Sequence, residues 1–291
     1  MTADKRIIAC LFVREGRVVQ SRGFRDYLPV GRPEIAARFL DSWGADAIAL
    51  VDIDARREGR TIDPRMVERV AANIFAPLAA GGGLSSVAQM RDLLSAGADK
   101  LIVNRAFHDK PGLVTEGASH FGSQAMIASI DVRVHATDSY EVMLDRASLP
   151  TGFSPWEYAQ RLEQAGAGEI LLNAVDRDGS GTGYDIGLAA CTAAATTLPI
   201  ILLGGAGHPR HVAEALSAPG VSAAAAANFW HFTEHSVALT KAYCARAGVA
   251  VRRDASVRYG EFEFEADGRL AKIPDRALDE RIFETLEEDA V

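Results

Sequence analysis

The stretch GADAIALVDIDARREGR, residues 44–60, decides the fold, because its pattern returns as GAGEILLNAVDRDGSGT at residues 166–182. PLAAGGGLSSVAQM (77–90) likewise returns as PIILLGGAGHPRHV (199–212), again about half a chain later. Around these pairs, eight apolar runs read as strands: IIACLFV, AIALVDI, APLAAGG, DKLIVN, AMIASID, EILLNAV, PIILLGG and VSAAAAA. Between them lie stretches such as RPEIAARFLDSWGA and WEYAQRLEQAGA, whose apolar residues recur at three- and four-residue spacing and which close on glycine. Strands apolar throughout, rather than alternating, imply a parallel sheet buried on both faces. Eight strand–helix units over about 250 residues predict an α/β fold of the (β/α)8 TIM-barrel type, built from two half-barrel repeats. The rival, an open doubly wound sheet, would carry G-x-G-x-x-G after its first strand, and none is there.

Residues 1–252 are read as the barrel and 253–291 as a C-terminal extension. In the extension, VRYGEFEFEADGRLAKI predicts a hairpin and PDRALDERIFETLEEDAV an acidic helix. The chain has 291 residues, 48% of them hydrophobic, and a formal net charge of -8, the balance of a soluble globular protein. That charge, without any Lys/Arg-rich run, argues against nucleic-acid binding. The apolar run from Ile7 to Val13 is too short for a signal-peptide core or a membrane span. Cys10, Cys191 and Cys244 are far apart and form no C-x-x-C pair, which fits a reducing, cytoplasmic setting.

In such a barrel, chemistry gathers where the strands end. GGG (81–83) and GGAG (204–207) stand at matched strand ends, where backbone N–H groups and a helix N-terminus can approach an anion. Asn104 and Asn228, in the turns after the fourth and eighth strands, would complete the two cradles, and DRDGSGTG after the sixth strand adds donors. Two anion sites across the mouth suit a ligand phosphorylated at both ends. Between them lie Asp131, Asp176, Asp178, Asp52 and Asp54; a carboxylate in a partly dry mouth can serve as acid or base. His231 and His235 would share a face on a helix, but without a third ligand they read as packing rather than a metal site. His208 stands where it could touch a phosphate.

Together RIIACL…GRVV, GADAIALVDID, PLAAGGGLSSV, AGADKLIVN, FGSQAMIASIDV, DRDGSGTGYD, GGAG and AANFWHF resemble the cyclase subunit of imidazole glycerol phosphate synthase, the HisF family. The likeness runs from about Lys5 to Arg252. It implies a glutaminase subunit docked on the bottom of the barrel and ammonia conducted through the interior. At the top, a ligand held by two phosphates reacts between aspartates at the ends of the first and fifth strands, helped by a lysine, with no cofactor and no metal. Carried over, Asp131 matches the second aspartate. Gly82, Gly83, Asn104, Asp176, Gly179, Gly204, Gly205 and Asn228 fall on phosphate-site positions. Arg6, Lys100 and Glu169 match a ring of charges at the ammonia entrance whose fourth member here is Ala47, and Asp99 matches a glutaminase-facing residue.

Two positions depart from that pattern. Phe12 stands where the first catalytic aspartate is expected, and Gln20 where the lysine is. A phenyl ring exchanges no proton, and losing one positioned acid/base typically costs ~10²–10⁴-fold in rate. The expectation is therefore a subunit that still receives ammonia but has lost imidazole-forming cyclisation. This combination, with the segment YLPVGRP (27–33), resembles the glycosyl-amidation (WbuZ-type) branch of the family. There, ammonia is thought to reach a separate ATP-dependent amidotransferase acting on a nucleotide-linked sugar. The alternative expectation is a cyclase working with Asp131 alone.

Overall fold

A computed structural model describes residues 4–136, 139–233 and 235–252, with residues 265, 271, 272 and 276. Eight parallel strands form a closed ring: β1 (Arg6–Arg14), β2 (Ala47–Asp52), β3 (Leu78–Gly81), β4 (Lys100–Val103), β5 (Met126–Ala136), β6 (Glu169–Ala174), β7 (Ile200–Leu203) and β8 (Val221–Ala226). Each pairs with the next, and β8 pairs with β1 to close the barrel. The predicted eight-stranded TIM barrel is the fold observed.

Its outer layer is α1 (Pro33–Ser42), α2 (Pro64–Ala71), α3 (Val87–Ser95), α4 (Pro111–Phe121), α5 (Pro155–Gln164), α6 (Ile186–Ala193), α7 (Pro209–Ser217) and α8 (Ser236–Arg246). Local chemistry sets several of their starts. Ser154 and Glu157 form a capping box at α5, Asp63 accepts from Arg65 N at α2, and Asp185 accepts from Leu188 N at α6. Proline opens α1, α2, α5 and α7, where a missing N–H breaks no helix bond.

Strand alternation sorts the apolar residues into two layers. Ile7, Ala9, Leu11 and Val13 face the helices in the larger core. Ile8, Cys10 and Phe12 face the bore, where Ala49, Ala79, Ile102, Ile127, Leu171, Ile201, Ala223 and Ala225 join them. The parallel strands are apolar on both faces because both faces are covered.

Two insertions interrupt the repeat. After β1 the chain reverses at Glu15 and Gly16, both with positive φ, and returns as the antiparallel strands Arg17–Arg22 and Asp26–Gly31. After β5 it returns as Ser139–Leu144 and Leu149–Pro150. His231 and His235 do not share a helix: His231 ends a short 3-10 turn, and His235 precedes α8 with a φ of 55°. The predicted hairpin and acidic helix of the extension lie outside the described residues, four single positions apart.

Candidate active site at the barrel mouth

The register pairs the two halves residue by residue. Phe12 pairs with Val51 on β2, and Asp131 with Asn173 on β6; next in the ring, Val51 pairs with Gly81 and Asn173 with Leu203. Phe12 and Asp131 also each pair with the first returning antiparallel strand, Phe12 with Val19 and Asp131 with Met143. Phe12 is thus the structural counterpart of Asp131. Where one half presents a carboxylate beside an amide, the other presents a phenyl ring beside a valine.

These walls enclose an inner pocket of about 150 Å³ at the top of the bore. Phe12, Val51, Ile102, Leu171 and Leu203 supply its apolar surface, and Asp131, Asn104 and Asn173 its polar wall. Asn173 Nδ2 donates to Asp131 Oδ1 at 2.9 Å and Asn104 Nδ2 to Oδ2 at 3.2 Å, so both carboxylate oxygens are held. Burial raises the Asp131 carboxyl from its usual 3.8 to about 6. The two amides pull the other way, and the charge of Asp178 adds to the rise. A carboxyl poised near neutrality and fixed at both oxygens can take up and return a proton.

Gly82, Gly83 and Asn104 line this same pocket, so the first predicted anion cradle opens onto Asp131. A Cβ at Gly82 would stand 2.5 Å from Asp52 O, and one at Gly83 2.0 Å from Arg60 O, so close packing alone demands glycine at both. Gly204, Gly205, Asp176, Gly179 and Asn228 do not line it. Gly204 packs against Asn173 and Ala174 at the end of β6, and Gly205 against the loop that follows, where Gly183 N donates to Gly205 O at 2.8 Å. Asn228 uses its side chain structurally, accepting from Ser21 N at 2.9 Å and donating to Ser21 O at 2.6 Å. Gln20 lies on the strand Arg17–Arg22 and is not among the pocket-lining residues.

The other mouth carboxylates are engaged. Asp52 accepts from Asp54 N, Ala55 N and Arg60, and Asp54 pairs with Arg14 and Arg146. Asp178 accepts from Ser21 Oγ at 2.7 Å and Phe24 N at 3.2 Å; burial still raises its carboxyl above the ordinary range. Asp176 is exposed and accepts from Val134 N at 2.7 Å. His208 caps α7, accepting from Arg210 N at 2.9 Å. Asn173 escaped the sequence reading, although an amide inside the apolar run EILLNA was the available signal.

At the opposite end, Arg6, Lys100 and Glu169 come together from the first residues of β1, β4 and β6. Glu169 Oε2 lies 2.6 Å from Arg6 Nη2, and its other oxygen meets Lys100 Nζ. Burial opposes ionisation of Glu169, but the two cations overcome it and hold the carboxyl below its usual range. Ala47 occupies the fourth position, matched to Glu169 by the repeat. Asp99 is exposed at this end and accepts from Leu78 N at 2.8 Å.

Comparison with known proteins agrees with this architecture. Residues 6–236 match the family described as "Histidine biosynthesis protein". Imidazole glycerol phosphate synthase subunit HisF of Bacillus cereus strain Q1 is 43% identical over 249 residues, covering 85% of this chain and 98% of that protein. The protein of the same description from strain G9842 is 42% identical over 248 residues, with the same coverage. No helix among the described residues is long and apolar enough to cross a membrane. From its barrel, its matched half-barrel registers and these relatives, the chain belongs to the histidine biosynthesis protein family, as a member of the HisF group.

Proposed function

We propose that this chain is the ammonia-using synthase subunit of a glutamine-dependent complex, with Asp131 as its sole acid–base residue. A HisH-like glutaminase docks at the end carrying Arg6, Lys100, Glu169 and Asp99, and ammonia moves up the bore. A phosphorylated ligand sits over Gly82, Gly83 and Asn104, with Gly204, Gly205, Gly179, Asp176 and Asn228 as the second anion position. The observation that carries this reading is the pairing of Asp131, fixed by two amides, with Phe12 at the matched position across the pocket.

Two reactions fit that site. The relatives are named imidazole glycerol phosphate synthase subunits, and identity along nearly their whole length favours the same ring closure, here run by Asp131 alone. Phe12 favours the second reaction, amidation of a phosphorylated or nucleotide-linked sugar through a separate ATP-dependent amidotransferase, as in the WbuZ-type branch. The complex, given glutamine and the ribonucleotide precursor of imidazole glycerol phosphate, separates them. Turnover in the ordinary enzymatic range of about 1–10³ s⁻¹ establishes ring closure. Absence of any ring closure above the uncatalysed rate, while glutamine is hydrolysed, leaves amidation as the function.

A further inference from the structure

The inner pocket is not the whole mouth. Past Phe24, Tyr27 and the side chains of Arg56, Arg57, Arg105 and Arg146 it continues into an outer cavity of about 980 Å³. That volume is at the upper end of the ~300–1,000 Å³ typical of small-molecule pockets. Its wall carries seven arginines: those four together with Arg14, Arg25 and Arg133. They come from the ends of β1 and β5 and the segments after β1, β2, β4 and β5, so only barrel closure assembles them.

Four carboxylates form ion pairs with this group among the described residues. Asp54 pairs with Arg14 at 3.2 Å and Arg146 at 3.4 Å. Asp109 pairs with Arg56 at 3.3 Å and Arg105 at 2.9 Å. Asp145 pairs with Arg105, and Asp176 lies 3.8 Å from Arg133. The outer wall itself thus carries seven arginines and one carboxylate, Asp145, and the arginines outnumber the carboxylates paired with them, in a chain whose net charge is -8. Arginines dispersed on a surface need no partner, but a concave wall with a surplus of one sign concentrates its field on whatever enters. Guanidinium forks match phosphoryl oxygens bidentately, and two joined phosphoryl groups bring roughly two to three negative charges. The Tyr27 ring, 4.9 Å from the Arg14 guanidinium, and Phe24 give the junction with the inner pocket an aromatic edge.

We propose that this outer compartment binds the diphosphate of a diphosphate-ester ligand whose reacting end enters the inner pocket. It is separate from both glycine turns: Gly82 and Gly83 line only the inner pocket, and Gly204 and Gly205 line neither. The proposal rests on the reading of Asp131 as the reacting centre for its orientation, but not for its binding chemistry.

The test is calorimetric titration of the full chain with ADP, UDP, inorganic pyrophosphate and inorganic phosphate. The three diphosphates are expected to bind at least tenfold more tightly than phosphate, with affinity falling steeply as salt rises. Arg25→Gln combined with Arg133→Gln, two residues that line the outer cavity and not the inner pocket, is expected to weaken diphosphate binding tenfold or more. Asp131→Asn should not weaken it. Equal affinity for phosphate and pyrophosphate, or full affinity in the double variant, overturns the proposal. Tight diphosphate binding without ammonia-dependent turnover keeps the compartment and removes the functional reading. Turnover on ligands without a diphosphate, while diphosphates neither bind nor inhibit, removes the compartment alone.

Discussion

At the scale of single residues, one carboxyl and one ring define the site. If Asp131 acts as the base, kcat/KM rises with pH and levels off above about 6, the position to which burial moves its carboxyl. Asp131→Asn is expected to lower the rate ~10²–10⁴-fold and abolish that rise, read from pH–rate profiles of the complex. The same shift has a stability signature. A carboxyl raised on folding binds its proton more tightly in the folded state, so its contribution declines as pH climbs from about 4 to 6. Wild type should lose part of its melting temperature across that window relative to Asp131→Asn. Phe12→Asp with Gln20→Lys is expected to raise imidazole-forming turnover if the remaining site is intact, a gain measurable with ammonium salts. Sequence exposed Asp131 as a carboxylate at a strand end, and Phe12 by its departure from the family pattern. It did not expose Asn173, or the arginines gathered from four separate segments, because local spacing carries no record of what closure brings together.

Among the elements, the eight barrel strands and their main helices were legible, since unbroken apolar runs and three-to-four spacing report burial directly. The returning strands after β1 and β5 were not, because their half-buried alternation blends into loop composition. The strand Arg17–Arg22 is held across the mouth by Asn228 and Asp178, which meet Ser21 from the ends of β8 and β6. Ser21 is only 2% exposed, so its backbone groups have no water to replace a lost partner. Asn228→Ala is therefore expected to cost about 1–3 kcal/mol in denaturant unfolding. Amide exchange in residues 17–31 should quicken as well. Exchange unchanged there would show that the strand is secured by its backbone pairing alone.

For the whole molecule, the two ends of the barrel differ in electrical character. At the bottom, Glu169 joins Arg6 and Lys100, whose side chains are 34% and 28% exposed. Glu169→Gln is expected to cost about 2 kcal/mol, less than a fully buried pair because water reaches both cations. Since those cations hold the Glu169 carboxyl below its usual range, that increment is present at neutral pH. It disappears on acidification below about 4, where wild type and variant should converge in thermal melts. Within the ring at the bottom of the bore, two cations, Arg6 and Lys100, meet the single carboxylate of Glu169. In the proposed conduit, such a ring excludes ammonium and admits only its uncharged conjugate base. Supplied with external ammonium salt, the enzyme would keep accelerating toward alkaline pH long after Asp131 has titrated, whereas nitrogen released internally from glutamine would reach a plateau.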